Sequence, residues 1–346
     1  KLLHRLLLFI QSRNGAVFSA GLLHYSLRQS FERLGIIMST LIFGHQSSEE
    51  HDMGLGHPER PDRIRAVKKA LEADRFSDLE YREAPRAAVE QISRVHDHSY
   101  VTNLLESVPD QGRVQVDPDT SMCPASGEAA LRACGAIIAA IDAIMDGDAN
   151  SAFCAVRPPG HHAEPARGMG FCLFNNVAIG VEHARTVHNL EKIAVVDFDV
   201  HHGNGTQAAF WANPKVLVAS SHQYPFYPGT GAEDETGVGN IFNVPLANGS
   251  GSKLFRRGIE NVVLPALEEF EPDLIVISAG FDGHARDPLA NLFLEEEDFE
   301  WITGSLVNIA GEYCNGRIVS SLEGGYDLEA LSSSVTAHLT ALRLAE

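Results

Sequence analysis

The sequence predicts a single α/β domain in which a mostly parallel β-sheet lies between layers of helices. Three observations point there. Short runs rich in Val, Ile and Ala alternate with longer amphipathic stretches from residue 40 onward. The runs are apolar at successive positions rather than at every second one, so both faces of each strand are buried, as in a parallel sheet covered on both sides. No repeat, low-complexity tract or long linker interrupts the alternation.

In chain order, strands are expected over 40–43, 151–156, 193–199, 216–220, 274–279 and 317–322. Their apolar, β-branched composition and turn-forming flanks support each one. Helices are expected over 60–72, 125–145, 175–187, 253–269, 296–313 and 328–344. The domain is therefore assigned to residues 38–346, with 1–37 as an N-terminal extension outside it. That extension carries five basic residues (Lys1, Arg5, Arg13, Arg28, Arg33), one acid (Glu32) and a short apolar stretch over 6–10. It reads as a targeting peptide, an appended amphipathic segment, or upstream sequence ahead of a start at Met38.

Lys and Arg total 27 against 46 Asp and Glu among 346 residues, a formal net charge of -19. This argues against direct nucleic-acid binding, which needs clustered cations, and favours a cationic partner through steering. No apolar run reaches the roughly 18–20 residues of a membrane-spanning helix, so no membrane association is expected. The five cysteines form no C-x-x-C pair. They read as reduced thiols in a cytoplasmic setting, unless residues 1–37 are a targeting peptide. Oligomeric state is left open.

Ligands of open α/β sheets sit beyond the carboxyl ends of the strands. Here the loops 157–170, 199–205, 280–288 and 323–326 follow four expected strands, and all are polar, Gly-rich or His-rich. In Ile193-Ala-Val-Val-Asp197-Phe-Asp199-Val-His201-His202-Gly-Asn204 the period of two places Asp197, Asp199 and, if the chain stays extended, His201 on a common side. Paired carboxylates at a buried strand end need a compensating cation or hydrogen bonds, and Asp with His suits a divalent ion such as zinc. The competing reading, that these acids cap a helix starting near Gly203, accounts for only one of them. Asp282 after the strand 274–279 supplies a third ligand, although alone it would pass for a turn residue before Gly283. Two Asp and one His leave a coordination position open, as catalytic zinc requires. The pair His161-His162 in a Gly/Pro loop offers a general base. Tyr326, after Gly324-Gly325, offers a hydroxyl for an oxyanion; in isolation it would read as a half-buried helix-start tyrosine.

His161-His162, Asp199-x-His201, Asp282 and Gly-Gly-Tyr326, in this order, resemble the arginase/deacetylase superfamily and within it the zinc-dependent histone deacetylase family. Arg157-Pro-Pro-Gly-His-His-Ala-Glu, Gly168-Met-Gly-Phe-Cys-Leu-Phe-Asn-Asn and Val200-His-His-Gly-Asn-Gly-Thr-Gln207 resemble its class II branch and bacterial relatives. The likeness runs from Gly56-His-Pro-Glu-Arg-Pro through Tyr326.

This resemblance implies an arginase/deacetylase-like fold and a hydrolase removing acetyl or other acyl groups from lysine. Asp199, His201 and Asp282 would hold one zinc ion. His162 would be the base, His161 its electrostatic partner oriented by Asp197, and Tyr326 the oxyanion donor. Phe171 and Tyr227 would wall a channel, Gly170 would present a free backbone carbonyl, and Asp119, or its neighbour Asp117, would anchor the substrate at the rim. Arg60 would sit by an internal pocket for the acetate product. Potassium would be held near Asp197, Asp199, His201, Ser220 and Ser221.

Two departures bear on specificity. Asn204 stands where class I relatives carry an Asp paired to the base, and class II relatives have Asn there. Leu289, after Asp287-Pro288, replaces the gatekeeping Glu of polyamine-preferring relatives, which favours acyl-lysine peptides or proteins over an acetylated small amine. His96 and His98 read as helix-start or loop packing, His222 and His284 as loop-shaping, and His183 and His188 as solvated helix residues. A silent acyl-lysine-binding module is disfavoured by the intact ligand and base set. A serine hydrolase lacks its G-x-S-x-G elbow, and a nucleotide-binding oxidoreductase its glycine fingerprint.

Overall fold

Residues such as Ile193, Ala194, Val195 and Val196 have no polar face to offer water, and in the computed structural model all four are buried in the middle of a sheet. The structure describes residues 40–345, so the expected extension over 1–37 lies outside the described residues. In chain order the strands are β1 (Thr40–Gly44), β2 (Glu80–Glu83), β3 (Val114–Asp117), β4 (Thr120–Met122), β5 (Ser151–Cys154), β6 (Ile193–Asp197), β7 (Val216–Gln223), β8 (Ile241–Leu246), β9 (Leu274–Ala279) and β10 (Ile318–Leu322). Eight form one sheet in the order β2-β1-β5-β10-β9-β6-β7-β8, and β3 with β4 forms a small antiparallel pair. Every pairing in the large sheet is parallel.

Alternate residues of each strand face different helix layers. Ala194, Val196, Ile275 and Ile277 pack with Ile64, Phe255, Phe299, Leu306 and Val335 from the helices Pro61–Leu71, Ser252–Gly258, Glu296–Tyr313 and Leu328–Leu342. Val195 and Val276 face the other way, onto Ile137 and Ile141 of Ser126–Met145 and Val177 and Val181 of Asn176–Val187. Burying such side chains contributes roughly 1.5–3 kcal/mol each.

The six expected strands are all present, within a few residues of their expected ends. β2 and β8 were not expected, and the reason is their place at the sheet edges. β2 is Glu-Tyr-Arg-Glu, with mostly exposed side chains, and β8 carries Asn243 and Pro245. β7 runs three residues further than expected, to Gln223, so Ser221 and His222 are strand residues rather than loop residues. The helix expected over 253–269 is interrupted by a π-helical turn at Ile259–Val263. Pro265 has no N–H to give the preceding turn, which favours the wider ladder there.

Candidate active site

The chain leaves β6 at Asp197, so Asp199 and His201 reach their common side through a turn rather than an extended strand. The turn is held by its own carboxylates. Asp197 Oδ1 accepts from Asp199 N (3.0 Å), Asp199 Oδ1 from His201 N (2.9 Å), and Asp282 Oδ1 from Val200 N (2.9 Å). His201 Nδ1 consequently lies 3.2 Å from Asp199 Oδ1 and 3.1 Å from Asp282 Oδ2, with all three residues buried. Gly324 makes this approach feasible. Its N–H donates to Asp199 Oδ2 (2.8 Å), and a Cβ there would fall on the carboxylates of both Asp282 and Asp199.

Burial, then the charge of Asp199, pushes the Asp282 carboxyl up to about 7. Asp199 goes the other way: burial opposes its ionisation, but the charge of His161 and the bonds from His201 hold it well below the usual carboxylate range. Burial also opposes protonation of His201, yet its bonds to Asp199 and Asp282 raise it to about 10. Three buried donors thus converge whose number and type suit a divalent cation, zinc above all. The residues fit the ion that the sequence implies.

His161 donates from Nδ1 to Asp197 Oδ2 (2.9 Å). Burial disfavours its charge, but Asp199 and Asp197 outweigh that and raise it to about 10. The His162 ring centroid is 4.0 Å away, and that ring behaves oppositely. Burial, followed by the positive charges of His161 and His201, holds His162 well below its ordinary value. The surroundings thus favour the charged form of one imidazole and the neutral form of its neighbour.

Tyr326 is kept protonated by burial, with Arg63 opposing. Arg63 itself lies 4.7 Å from the centre of the Tyr326 ring and donates to the carbonyls of Gly325 (2.6 Å) and Glu323. A phenol that stays neutral can donate a hydrogen bond to a developing oxyanion.

Residues 57–342 match the family model described as the histone deacetylase domain. The chain belongs to the histone deacetylase family. It is 39% identical over 307 residues to histone deacetylase 14, chloroplastic, of Arabidopsis thaliana, covering 83% of this chain and 73% of that one. The histone deacetylase-like amidohydrolase of Pseudomonas aeruginosa is 40% identical over 277 residues (78% and 73%). A probable deacetylase of Methanothermobacter thermautotrophicus is 42% identical over 312 residues (87% and 90%). The crystal structure of the HDA15 HD domain superposes with a TM-score of 0.84 at 34% identity, covering 89% of each chain. The fold is accordingly the arginase/deacetylase-like α/β fold, and the chain is a hydrolase of a family whose relatives are named deacetylases or amidohydrolases.

Within this histone deacetylase framework the remaining expected residues can be placed. Phe171 packs edge-on to Tyr326, with centroids 5.8 Å apart, and Tyr227 edge-on to His162, 5.2 Å apart, so both rings border the candidate site. Asp119 and Asp117 separate clearly. Asp119 Oδ1 accepts from Gly170 N (3.1 Å), and its charge adds to the burial that keeps the Tyr227 hydroxyl protonated, whereas Asp117 Oδ2 accepts from Arg167 (2.7 Å). Gly170 has a φ of 56° and lies so close to the His162 ring that a Cβ would strike it. Its carbonyl is not wholly free, because the Cys172 thiol donates to it at 3.3 Å. Leu289 is half-buried, and its N–H donates to Asp287 Oδ1 (3.0 Å), while Asp287 Oδ2 accepts from Tyr326 N (2.6 Å). Ser220 lies opposite Asp197 in the β6–β7 register, and Ser221 Oγ is buried without a protein partner.

Three placements differ from expectation. Arg60 does not face an internal pocket: its side chain is 42% exposed and lies 3.4 Å from Asp62. Arg63, in the first turn of the helix Pro61–Leu71, points inward instead, whereas Arg60 is the extended residue that precedes the helix. His222 is a buried strand residue rather than a loop residue, but it does shape a loop, since its Nε2 donates to Gly231 O in the loop between β7 and β8 while Nδ1 bonds Ser220 Oγ. His183 and His188 are not solvated, since both turn Nε2 to Asp142 Oδ1 at 2.6 Å. His96 behaves as read, bridging Glu164 O and Asn175 N.

Two buried acids escaped the sequence reading. Glu59 is wholly buried among Arg157, Arg63 and His51, and against burial the two guanidinium groups, Arg157 foremost, hold it at about 2. Glu323 accepts from Gly160 N (2.6 Å) and His161 N (3.2 Å). A Glu inside His-Pro-Glu or Leu-Glu-Gly-Gly gives one signal only: a charge beside an apolar or glycine run needs a buried partner.

Proposed function

We propose that the protein is a zinc-dependent amidohydrolase that removes acetyl, or other acyl, groups from lysine side chains of peptides or proteins. The observation that carries this reading is the convergence of the Asp199, His201 and Asp282 donors with a neutral His162 beside a charged His161. Zinc, when bound by those three residues, would polarise the acyl carbonyl and lower the pKa of water. His162 is placed to take the proton of the attacking water and return it to the leaving lysine amine. His161 keeps its charge through Asp197, and Tyr326 directs a neutral hydroxyl toward the oxyanion. Phe171 and Tyr227 exclude water from the alkyl chain, and Asp119 is available to the substrate backbone.

Potassium near Asp197, Asp199, His201, Ser220 and Ser221 belongs to the same proposal; it is supported by the unpartnered, buried Ser221 Oγ, since such an atom calls for an ion or water. All five cysteines are free and buried, in keeping with a reducing compartment. Among the described residues no helix is long and apolar enough to cross a membrane.

An acetylated polyamine is the second reading, favoured by the net charge of -19, which draws polycations to the surface. Turnover by zinc-loaded protein on matched acetyl-lysine peptides, longer acyl-lysines and acetylpolyamines tests both. Zinc-dependent release of acetate from the peptides is expected, and none from any substrate would sink the hydrolase reading.

A further inference from the structure

The two catalytic histidines and Tyr326 come from loops after different strands, β5 and β10, which are neighbours in the sheet. Something must fix one loop against the other, because the base and the oxyanion donor act on the same carbon. The carbonyl side of the histidine loop is held by the start of the helix Asn204–Phe210, where Gly205 N and Thr206 N donate to His161 O at 3.0 and 3.2 Å. Its amide side faces the other way, toward Glu323. The Glu323 side chain is fully buried, and Oε2 takes the N–H of Gly160 at 2.6 Å and of His161 at 3.2 Å, while Oε1 lies 3.4 Å from Ser278 Oγ on β9. The backbone of Glu323 belongs to the tyrosine loop: its N–H donates to Ala279 O (2.9 Å), and its carbonyl accepts from Arg63.

We propose that Glu323 is a positioning residue that locks the His161–His162 loop to the Tyr326 loop by the reach of its carboxyl group rather than by its charge. The inference rests on the hydrolytic reading of the site. Two parallel N–H donors need an acceptor oxygen at one fixed distance, and a carboxyl, ionised or not, provides it. Burial pushes this carboxyl up to about 7, with the charge of His161 opposing. Misplacement of a catalytic group by about 1 Å can cost about 100-fold in rate.

The test compares Glu323→Asp, which keeps the charge but draws the oxygens back by about 1.5 Å, one carbon–carbon bond, with Glu323→Gln, which keeps the reach and drops the charge. Zinc content, kcat and KM on an acetyl-lysine peptide, and amide exchange of residues 160–161 are measured for each full-length protein. Glu323→Asp is expected to lower kcat at least about 10-fold with KM and zinc content unchanged, and to speed exchange at 160–161 about 10-fold or more. Glu323→Gln is expected to stay within about 3-fold of the unsubstituted protein on every measure, because its amide oxygen still meets both donors. The reverse order of damage would assign the role to charge and overturn the proposal, as would unchanged exchange in Glu323→Asp. Failure of the unsubstituted protein to release acetate would count against the hydrolytic reading alone, since exchange still decides whether Glu323 holds the loop.

Discussion

Asn204 Oδ1 accepts from His162 Nδ1 at 2.8 Å, and this bond decides which nitrogen of the ring is left to take a proton. The amide cannot turn over, because its Nδ2 donates to Glu164 Oε1 at 2.8 Å. His162 therefore carries its hydrogen on Nδ1 and its lone pair on Nε2. A neutral amide favours the ring's cation less than a carboxylate would, and burial with the charges of His161 and His201 outweighs it.

Asn204→Asp should strengthen the base. A carboxylate in the same place favours the imidazolium, so the His162 pKa rises, and the acid limb of kcat/KM should move to higher pH by about one unit or more. The measurement is a kcat/KM profile between pH 5.5 and 9 for both proteins. An unmoved acid limb means that His162 is not the group whose titration limits the rate.

Tyr326→Phe should lower turnover at least about 100-fold, the scale of losing one oxyanion donor, with zinc content unchanged. Arg63 lies against the Tyr326 ring and Tyr326 is not one of the three proposed ligands, so loss of the hydroxyl removes a donor without touching a ligand. Near-normal turnover of an unactivated acetyl-lysine peptide would reduce Tyr326 to a packing role.

What was legible in the sequence follows from locality. Asp197, Asp199 and His201 are spaced within one strand end, and His161-His162 and Gly324-Gly325-Tyr326 are contiguous, so periodicity and adjacency point to them. Arg63 and Arg60 are equally basic in sequence. Only their place relative to the helix tells them apart: Arg60 is its extended N-cap residue, while Arg63 lies in the first turn with Ile64 and Val67 on the buried side. Glu59 and Glu323 were missed because their partners lie about 100 and 160 residues away, at Arg157 and at Gly160–His161. The edge strands β2 and β8 lack the two-sided apolar pattern that identifies interior strands. Asp142 with His183 and His188 is a tertiary meeting of two helices that neither helix announces.

Asp282→Ala should lose most of the bound zinc and the activity while the fold persists, since Asp282 follows β9 in a loop and its removal opens no strand. Metal content by elemental analysis, with circular dichroism beside it, checks this. Full zinc occupancy in the folded variant would show that another residue completes the ligand set.

His338 should make the protein acid-sensitive. It is buried in Leu328–Leu342 between two hydroxyls, Thr303 Oγ1 at 2.7 Å and Ser320 Oγ at 2.9 Å, and burial pushes it down to about 3. Thr303 donates to Phe299 O, so it accepts from His338 Nδ1, and Nε2 accepts from Ser320; the ring is neutral in the fold. The unfolded chain binds this proton near pH 6.5, so the contribution is full above that pH and shrinks as pH falls toward 3. His338→Gln should flatten the fall of unfolding free energy between pH 6.5 and 4.5 by up to about 1.4 kcal/mol per pH unit. Urea unfolding at pH 7, 5.5 and 4.5 reads the slope, and parallel slopes for the two proteins would refute the assignment.

Substrate choice turns on Leu289. It follows Asp287-Pro288, and Asp287 accepts the N–H of Tyr326, so the side chain that Leu289 presents belongs to the same loop that anchors the oxyanion donor. An acyl-lysine brings one uncharged alkyl chain to the aromatic pair Phe171 and Tyr227. A polyamine brings a further ammonium, and holding it beside an apolar Leu without a carboxylate would cost about 1–3 kcal/mol or more, depending on how completely it is desolvated. The charge of -19 attracts polycations, but attraction at a distance raises encounter rates, whereas discrimination depends on the difference between two transition states. Acetyl-lysine peptides should therefore show the higher kcat/KM, and Leu289→Glu should move the ratio toward acetylpolyamines by about 10-fold or more, the equivalent of about 1.4 kcal/mol. Competition between an acetyl-lysine peptide and acetylspermidine in one reaction gives the ratio directly. If the unsubstituted protein already prefers acetylspermidine, Leu289 does not exclude the second cation, and the polyamine reading replaces the peptide one.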